Sequence, residues 1–353
     1  MRLESRAQVP AWMWLAAPLG ALAVTLAISS LLVAWAGAPV GRAYALLLEG
    51  GFGSRFAWTE TLTRATPLIL TGLAAAVAFR ARLYNIGAEG QLYAGALAAV
   101  AVGGLHGGMT WPLPNSLLFA GMIVAACVAG ALLLLVPALL KSRFGVDEVV
   151  TTLLANFIVL LLVSAMLDGP MKDPTAMGWP QSVAIADELL LTKLIPRSRV
   201  HSGLLIALAL AAGLFLVLRH TTFGFALRAS GANVRAAAFA GVPVRRVAWQ
   251  VALLSGALAG LAGGVEVAGR AGYVTLDMSP GYGYSGIVIA MLAALNPLGV
   301  VAAAVFVAGM LVGADSMSRA VTVPTYIADV VVAVSLIAML VATMLAQYRV
   351  RWR

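Results

Sequence analysis

Asn85, Glu89 and Gln91 fall within seven residues of one another in RLYNIGAEGQLYAGA (82–96), with glycines between and around them. A carboxylate beside two carboxamides can hold a polar solute, relay a proton or tie helices together. Read as one helix at roughly 100° per residue, Asn85, Glu89 and Tyr93 share a face at i, i+4, i+8. Gly87, Gly90 and Ala94 then share the opposite face, and Gln91 points between the two. The small face admits a neighbouring helix closely. A charge facing lipid costs at least about 2.5 kcal/mol, so the polar face must meet polar groups, a water-filled cavity or a substrate. Two roles follow, and both can hold at once. Glu89 can pair with Arg80, Arg82 or a backbone group and lock helices together. Alternatively Asn85, Glu89, Gln91 and Tyr93 line a pathway for a polar solute. Asn156, Glu266 and Asp329 are further polar residues inside apolar runs. Each alone reads most simply as a packing or interfacial group; Asn156 is placed with the pathway set.

These residues lie in a chain of 353 residues that is 62% hydrophobic and 10% charged, with a mean hydropathy of +0.97. Soluble domains carry about 25% charged residues, so the composition predicts an all-α, polytopic transmembrane bundle. Ten apolar runs are predicted as spans: about 11–37, 61–79, 84–104, 115–140, 148–167, 203–218, 247–268, 285–295, 298–314 and 325–346. The first is too long for the apolar core of a signal peptide. The eighth has eleven residues, where a crossing needs about 20, and is expected to be a half-helix or to borrow from 272–284. Ten crossings with both termini cytoplasmic place fourteen Lys/Arg inside and nine outside. The nine lie mostly in long outer connections, where the positive-inside rule is weak. The net charge of +9 is therefore read as membrane orientation and not as nucleic-acid binding. The whole chain, 1–353, is expected to be one transmembrane domain with an outer loop at 168–202 and a cytoplasmic loop at 219–246.

The cytoplasmic loop contains a helix-tolerant stretch of Phe225, Leu227, Ala229, Val234, Ala236, Ala237, Ala238 and Phe239. Ser230–Gly231 is expected to interrupt it, and Gly241 and Pro243 to end it. Arg228 and Arg235, seven apart, fall on nearly one face. Such a basic, partly apolar helix can lie on anionic headgroups or dock into a cytoplasmic partner. Its length favours docking, since a simple connector needs only a few residues. Elsewhere Gly256xxxGly260, in SGALAGLAGG (255–264), reads as close helix packing.

Several chemistries find no support. A single cysteine, Cys127, and three scattered histidines offer no metal-ligand spacing. None of the three lysines lies in a GxxxxGK[ST] loop. There is no GxSxG elbow and no HExxH. No bound cofactor and no enzymatic activity are expected of this chain.

The segment FRARLYNIGAEGQLYAGALAA (79–99) closely resembles the permease subunits of ABC importers of the nucleoside and simple-sugar class. So do LRASGANVRAAAFAGVPVRRVAWQVALLSGALAGLAGGVEVAG (227–269), GYGYSGIVIAMLAALNPLGV (281–300) and FGVDEVVTTLLANFI (144–158). The likeness spans roughly 60–345, with the motifs in order. The NIGAEGQL version looks like the branch served by binding lipoproteins whose ligands are mostly nucleosides. The resemblance implies a second permease subunit, usually a shorter homologue, ATP bound and hydrolysed on separate cytoplasmic ATPase subunits, and an extracytoplasmic solute-binding protein. It implies a multi-pass protein of the bacterial plasma membrane. It also implies that 219–246 is the coupling element, through Arg228, Asn233, Arg235, Ala237, Phe239 and Gly241. The rival readings are a ribose-like sugar permease, a secondary transporter with Glu89 as its proton-coupling carboxylate, and a membrane scaffold.

Overall fold

The structure is a computed structural model that describes residues 2–5, 13–35, 37, 39–106, 108–321, scattered positions from 330 to 345, and 348–351. Its helices, in chain order, are α1 (Met13–Trp35), α2 (Val40–Phe52), α3 (Arg55–Arg80), α4 (Ala88–Gly103), α5 (Asn115–Phe144), α6 (Glu148–Asp168), α7 (Gly203–His220), α8 (Thr222–Ala232), α9 (Val234–Phe239), α10 (Val244–Glu266), α11 (Tyr282–Leu292) and α12 (Pro297–Val321). Two four-residue strands, β1 (Arg2–Ser5) and β2 (Tyr348–Arg351), pair antiparallel. Each of the first nine apolar runs coincides with one helix. The tenth run, 325–346, lies mostly outside the described residues, and Asp329 lies outside them. Helix α2 was not expected from the apolar runs.

The helices α3, α5, α6, α7, α10 and α12 are long and apolar enough to cross a membrane. They divide by surroundings. In α3 and α10 the most apolar window is 83% buried, whereas in α6 it is 22% buried. A helix that is apolar all round and buried is interior; one that is apolar and bare has lipid as its solvent. Small residues explain the interior position of α10. A Cβ on Gly256 would stand 2.3 Å from the Gly130 carbonyl oxygen, and one on Gly260 would stand 2.2 Å from that of Ala126. On the other side, Gly263 lies against the Leu92 carbonyl and Gly95 against the Gly260 carbonyl. Backbone thus meets backbone where α4, α5 and α10 cross, the way helices associate when burial gives no driving force.

The chain forms two compact units, residues 62–304 and the remainder. In the second, α2 packs on the C-terminal part of α12: Gly51 lies against Gly309 and Leu47 against Gly313. The Thr61 hydroxyl donates to the Gly51 carbonyl at 2.8 Å.

Besides the loop helices α8 and α9, two helices of the larger unit are short. Helix α4 has 16 residues and α11 has 11, so at 1.5 Å per residue they reach about 24 Å and 17 Å, less than a hydrocarbon core of about 30 Å. The sequence led us to expect one short element, at 285–295, and a helix over 84–104. The helix begins instead at Ala88, and Asn85 and Gly87 precede it in irregular, non-helical backbone. The i, i+4, i+8 face proposed for Asn85, Glu89 and Tyr93 is therefore real only for Glu89 and Tyr93.

Candidate functional site

Broken backbone at membrane depth must find its hydrogen-bond partners within the protein. Residues 83–87 find them on α6. Glu148, Thr152 and Asn156 stand four residues apart, one per turn, and are all buried. The Glu148 carboxylate accepts from the Tyr84 N–H at 3.3 Å, and the Thr152 hydroxyl accepts from the Ile86 N–H at 3.2 Å. The Asn156 amide donates to the Ile86 carbonyl at 2.9 Å, while its oxygen accepts from the Gly90 N–H at 2.8 Å. Lys141, on α5, pairs with Glu148 and donates to the Arg82 carbonyl at 3.3 Å. A polar ladder on one helix thus holds the edge of an irregular segment. Asp147 caps α6 just before it, accepting from Val149 N–H at 2.8 Å, and so sets the phase of the ladder.

Asn85 and Gln91 close the other side. Their carboxamides exchange two hydrogen bonds, each 2.9 Å long. Asn85 also donates to the Ser255 hydroxyl at 3.2 Å, and its oxygen accepts from the Gly87 N–H at 2.9 Å. Ser255, midway along α10, donates onward to the Ala74 carbonyl at 2.8 Å. The Asn85–Gln91 pair thus lies level with the middle of α10, while the Glu148 end of the ladder lies where α5 ends and α6 begins.

Glu89 faces a different neighbour. Its carboxylate accepts from the Gly283 N–H at 2.6 Å, at the first turn of α11, with Ser279 and Gly281 as further donors. Helices α4 and α11 thus meet N-terminus to N-terminus, and a Cβ on Gly283 would stand 2.2 Å from the Glu89 nitrogen. Two positive dipole ends converge there, and the carboxylate offsets them. Gly281, at φ +84°, turns the chain into α11 in a conformation that a side chain would strain. One turn further along α4, the Tyr93 hydroxyl donates to the Leu276 carbonyl at 2.6 Å and accepts from the Ser279 N–H at 3.2 Å. The Thr71 hydroxyl of α3 reaches the Tyr282 carbonyl at 3.0 Å, and Asn156 donates to the Tyr284 hydroxyl at 3.1 Å.

All five residues of the predicted pathway set, Asn85, Glu89, Gln91, Tyr93 and Asn156, are thus brought together, each less than 5% exposed. In this conformation their polar atoms are occupied with one another and with backbone. Glu89 contacts α11 backbone, not Arg80 or Arg82. The small residues have separate neighbours: Gly90 faces Asn156, Gly87 faces Thr152, and Gly256 and Gly260 face α5. Beside the cluster, a second group lies where α10 continues as a π-helical turn. Arg270 there donates to the buried Glu266 carboxylate at 2.7 Å and to the Tyr282 hydroxyl at 3.4 Å. Sequence reasoning missed Glu148, Thr152, Ser255, Arg270 and Tyr282. A four-residue polar spacing in DEVVTTLLAN was the available signal for the first two.

The predicted coupling residues sit on two helices. Helix α8 runs straight through Ser230–Gly231 to Ala232. The interruption comes at Asn233, whose side chain accepts from the Arg235 and Ala236 N–H groups at 3.0 and 3.1 Å and starts α9. Gly231 is tolerated because it lies against the Arg80 carbonyl, 2.0 Å from where a Cβ would be. Arg228 and Arg235 thus belong to different helices, and the shared-face expectation does not carry across the break. Arg228 turns inward and donates to the Leu218 carbonyl. Ala237 is buried, Gly241 ends the turn at φ +84°, and Phe239 is 97% exposed.

In the 168–202 loop, Asp173 is held below the usual carboxylate range by the Thr175 hydroxyl and N–H, with Gln181 adding a further donor. His201 is buried between Gly203 and Gly269. Its Nδ1 accepts from the Gly203 N–H at 3.2 Å, and burial pushes its pKa down to about 4, so the ring is neutral. Among the described residues no group of acidic, His and Cys side chains could hold a metal ion.

Long apolar helices, several of them bare on the outside, around a buried polar junction define an integral membrane protein. Residues 57–340 match the family of branched-chain amino acid transport system permease components, and the chain belongs to that family. It is 36% identical over 361 residues to the glucose ABC transporter permease protein TsgB13 of Haloferax volcanii, covering 99% of this chain and 93% of that one. It is 36% identical over 320 residues to the guanosine ABC transporter permease protein NupP of Bacillus subtilis, with 90% of each chain covered. The nucleoside ABC transporter permease protein NupB of Lactococcus lactis is 29% identical over 285 residues, covering 78% of this chain and 77% of that one.

Proposed function

We propose that this permease forms half of the translocation pathway of an ATP-driven importer of nucleosides, in a bacterial plasma membrane. The observation that carries the permease reading is the match over residues 57–340. The guanosine and nucleoside permeases among the relatives support the substrate class. ATP is bound and hydrolysed on partner ATPase subunits, a second homologous permease completes the pathway, and an extracytoplasmic binding protein delivers the solute. Ten crossings with both termini cytoplasmic remain our topology, and the pairing of β1 with β2 supports an even number of crossings.

In this reading the junction of α4 and α11 is the gate. Asn85, Glu89, Gln91, Tyr93 and Asn156 hold it shut by bonding to one another and to backbone. When the junction parts, the same groups become donors and acceptors for a ribose and a base, and two helix N-termini face the solute. Alternating access needs this exchange: groups satisfied by protein in one state are satisfied by substrate in the other. The helices α8 and α9, with Arg228, Asn233, Arg235, Ala237, Phe239 and Gly241, transmit closure of the ATPase subunits. The 36% identity to a glucose permease supports a second reading, in which the same chain passes a simple sugar.

ATP hydrolysis by the assembled complex in lipid, titrated with guanosine, adenosine, glucose and ribose in the presence of the binding protein, tests this. Stimulation by a nucleoside and not by the sugars is expected. Stimulation by glucose or ribose alone moves the substrate class. Uptake that persists without the ATPase subunits and collapses with a protonophore would replace the ATP-driven reading by proton coupling through Glu89.

A further inference from the structure

Three arginines converge on one small cavity at the ends of α3, α7 and α8. Arg80, Arg219 and Arg228 line a space of about 180 Å³. The remaining lining is Phe215, Leu218, Asn296 and Pro297, so no acidic side chain faces it. Arg80 and Arg228 are close enough to repel one another, and among the described residues none of the three arginines has an acidic partner. Arg228 is held inward by the Leu218 carbonyl, and Arg219 lies over the Phe215 ring, 5.7 Å from its centre. Three guanidinium groups around a space of this size suit an anion, since each offers a planar fork of donors matched to phosphate oxygens.

The cavity's position selects the anion's source. Arg219 ends α7, whose outer face carries the exposed apolar residues Leu205, Leu208, Leu216 and Val217. An acyl chain can lie along that face while its headgroup enters the cavity. All three arginines fall in segments predicted to be cytoplasmic, the leaflet rich in anionic lipid. We infer that this cavity binds the phosphate of an anionic phospholipid. The bound lipid clamps α8, the first helix of the coupling loop, to the ends of α3 and α7. The inference goes beyond the transport reading and is tested without substrate or ATP.

The test is retention of phosphatidylglycerol against phosphatidylcholine by the purified full-length chain, followed by native mass spectrometry. Wild type is expected to retain one phosphatidylglycerol selectively. Arg219→Gln should weaken that retention about fivefold, the effect of one surface charge on an anionic lipid. Arg80→Gln/Arg219→Gln/Arg228→Gln should abolish the preference, while Arg245→Gln/Arg246→Gln, basic residues outside the cavity, should keep it. Should the triple variant fail to fold, the exposed Arg219→Gln decides alone. Undiminished selectivity in Arg219→Gln overturns the inference, as does equal loss in the control. Displacement of the lipid by millimolar inorganic phosphate would make this a free-phosphate site and also overturns it. Unchanged lipid retention with loss of the co-purifying ATPase subunit would assign the cavity to an acidic protein segment instead.

Discussion

The junction at Glu89 and the loop helices α8 and α9 are both polar interruptions of an apolar chain, and they are built in opposite ways. At the junction, Asn85, Gln91, Asn156, Glu148 and Thr152 are buried and bonded to each other and to broken backbone. In α9, Phe239 stands 97% exposed and Arg235 is exposed as well, on a short helix started by the cap at Asn233. The junction spends its polar groups on its own fold, so changing them costs stability first. If the loop docks a partner as proposed, changing its exposed side chains should cost that interaction and leave the fold intact. An internal gate and a surface for a partner should differ in this way.

The largest effect expected is at the backbone contacts beneath the junction. Gly260→Leu places a side chain where Ala126 and Gly130 backbone already stand, and should cost at least about 3 kcal/mol, seen as loss of monodisperse protein after extraction. Next is Glu89→Ala, which strands the buried Gly283 N–H and should cost about 2 kcal/mol in thermal or denaturant unfolding. Glu89→Gln keeps an acceptor and should recover most of that. If Ala and Gln at 89 were equally stable but equally inactive in uptake, Glu89 would be a substrate group and not a clamp, and the contrast between the regions would fail.

His201 gives a pH test of the outer side. Its folded pKa, about 4, lies below its ordinary value of 6.5, so the folded state binds fewer protons than the unfolded state in between. Stability from the neutral ring is complete above pH 6.5 and is lost as pH falls from there towards 4. At pH 5 the loss should be about 2 kcal/mol, and His201→Phe should remove that part of the pH dependence. The smallest effect on stability belongs to α9: Arg235→Glu and Phe239→Ala should move the unfolding midpoint by no more than about 0.5 kcal/mol. Both should nonetheless release the ATPase subunit in co-purification. Normal co-purification would count against the docking role.

Hydropathy made nine helices legible, because lipid-length apolar runs have few alternatives. The eleven-residue length of α11 was legible for the same reason, although its bounds lie at 282–292. The start of α4 was not. Asn85, Glu89 and Tyr93 satisfy helical spacing, and nothing local shows that the first of them lies outside the helix. That outcome depends on the Glu148, Thr152 and Asn156 ladder, 60 residues or more away in sequence, which supplies partners for a backbone that does not close its own hydrogen bonds. At the loop, Gly231 looked like the breaker because glycine weakens a helix. It stays helical because the Arg80 carbonyl leaves no room for a side chain, and the break falls on Asn233, the better cap.

The central claim is tested most directly by uptake into proteoliposomes that carry the complete complex with ATP enclosed on the ATPase side. Labelled guanosine supplied with the binding protein should accumulate against its gradient, stop when the ATPase is inactivated, and be out-competed by adenosine but not by glucose. Accumulation of glucose with no uptake of guanosine would contradict the assigned substrate. Accumulation of either without ATP would contradict the account of the chain as an ATP-driven permease.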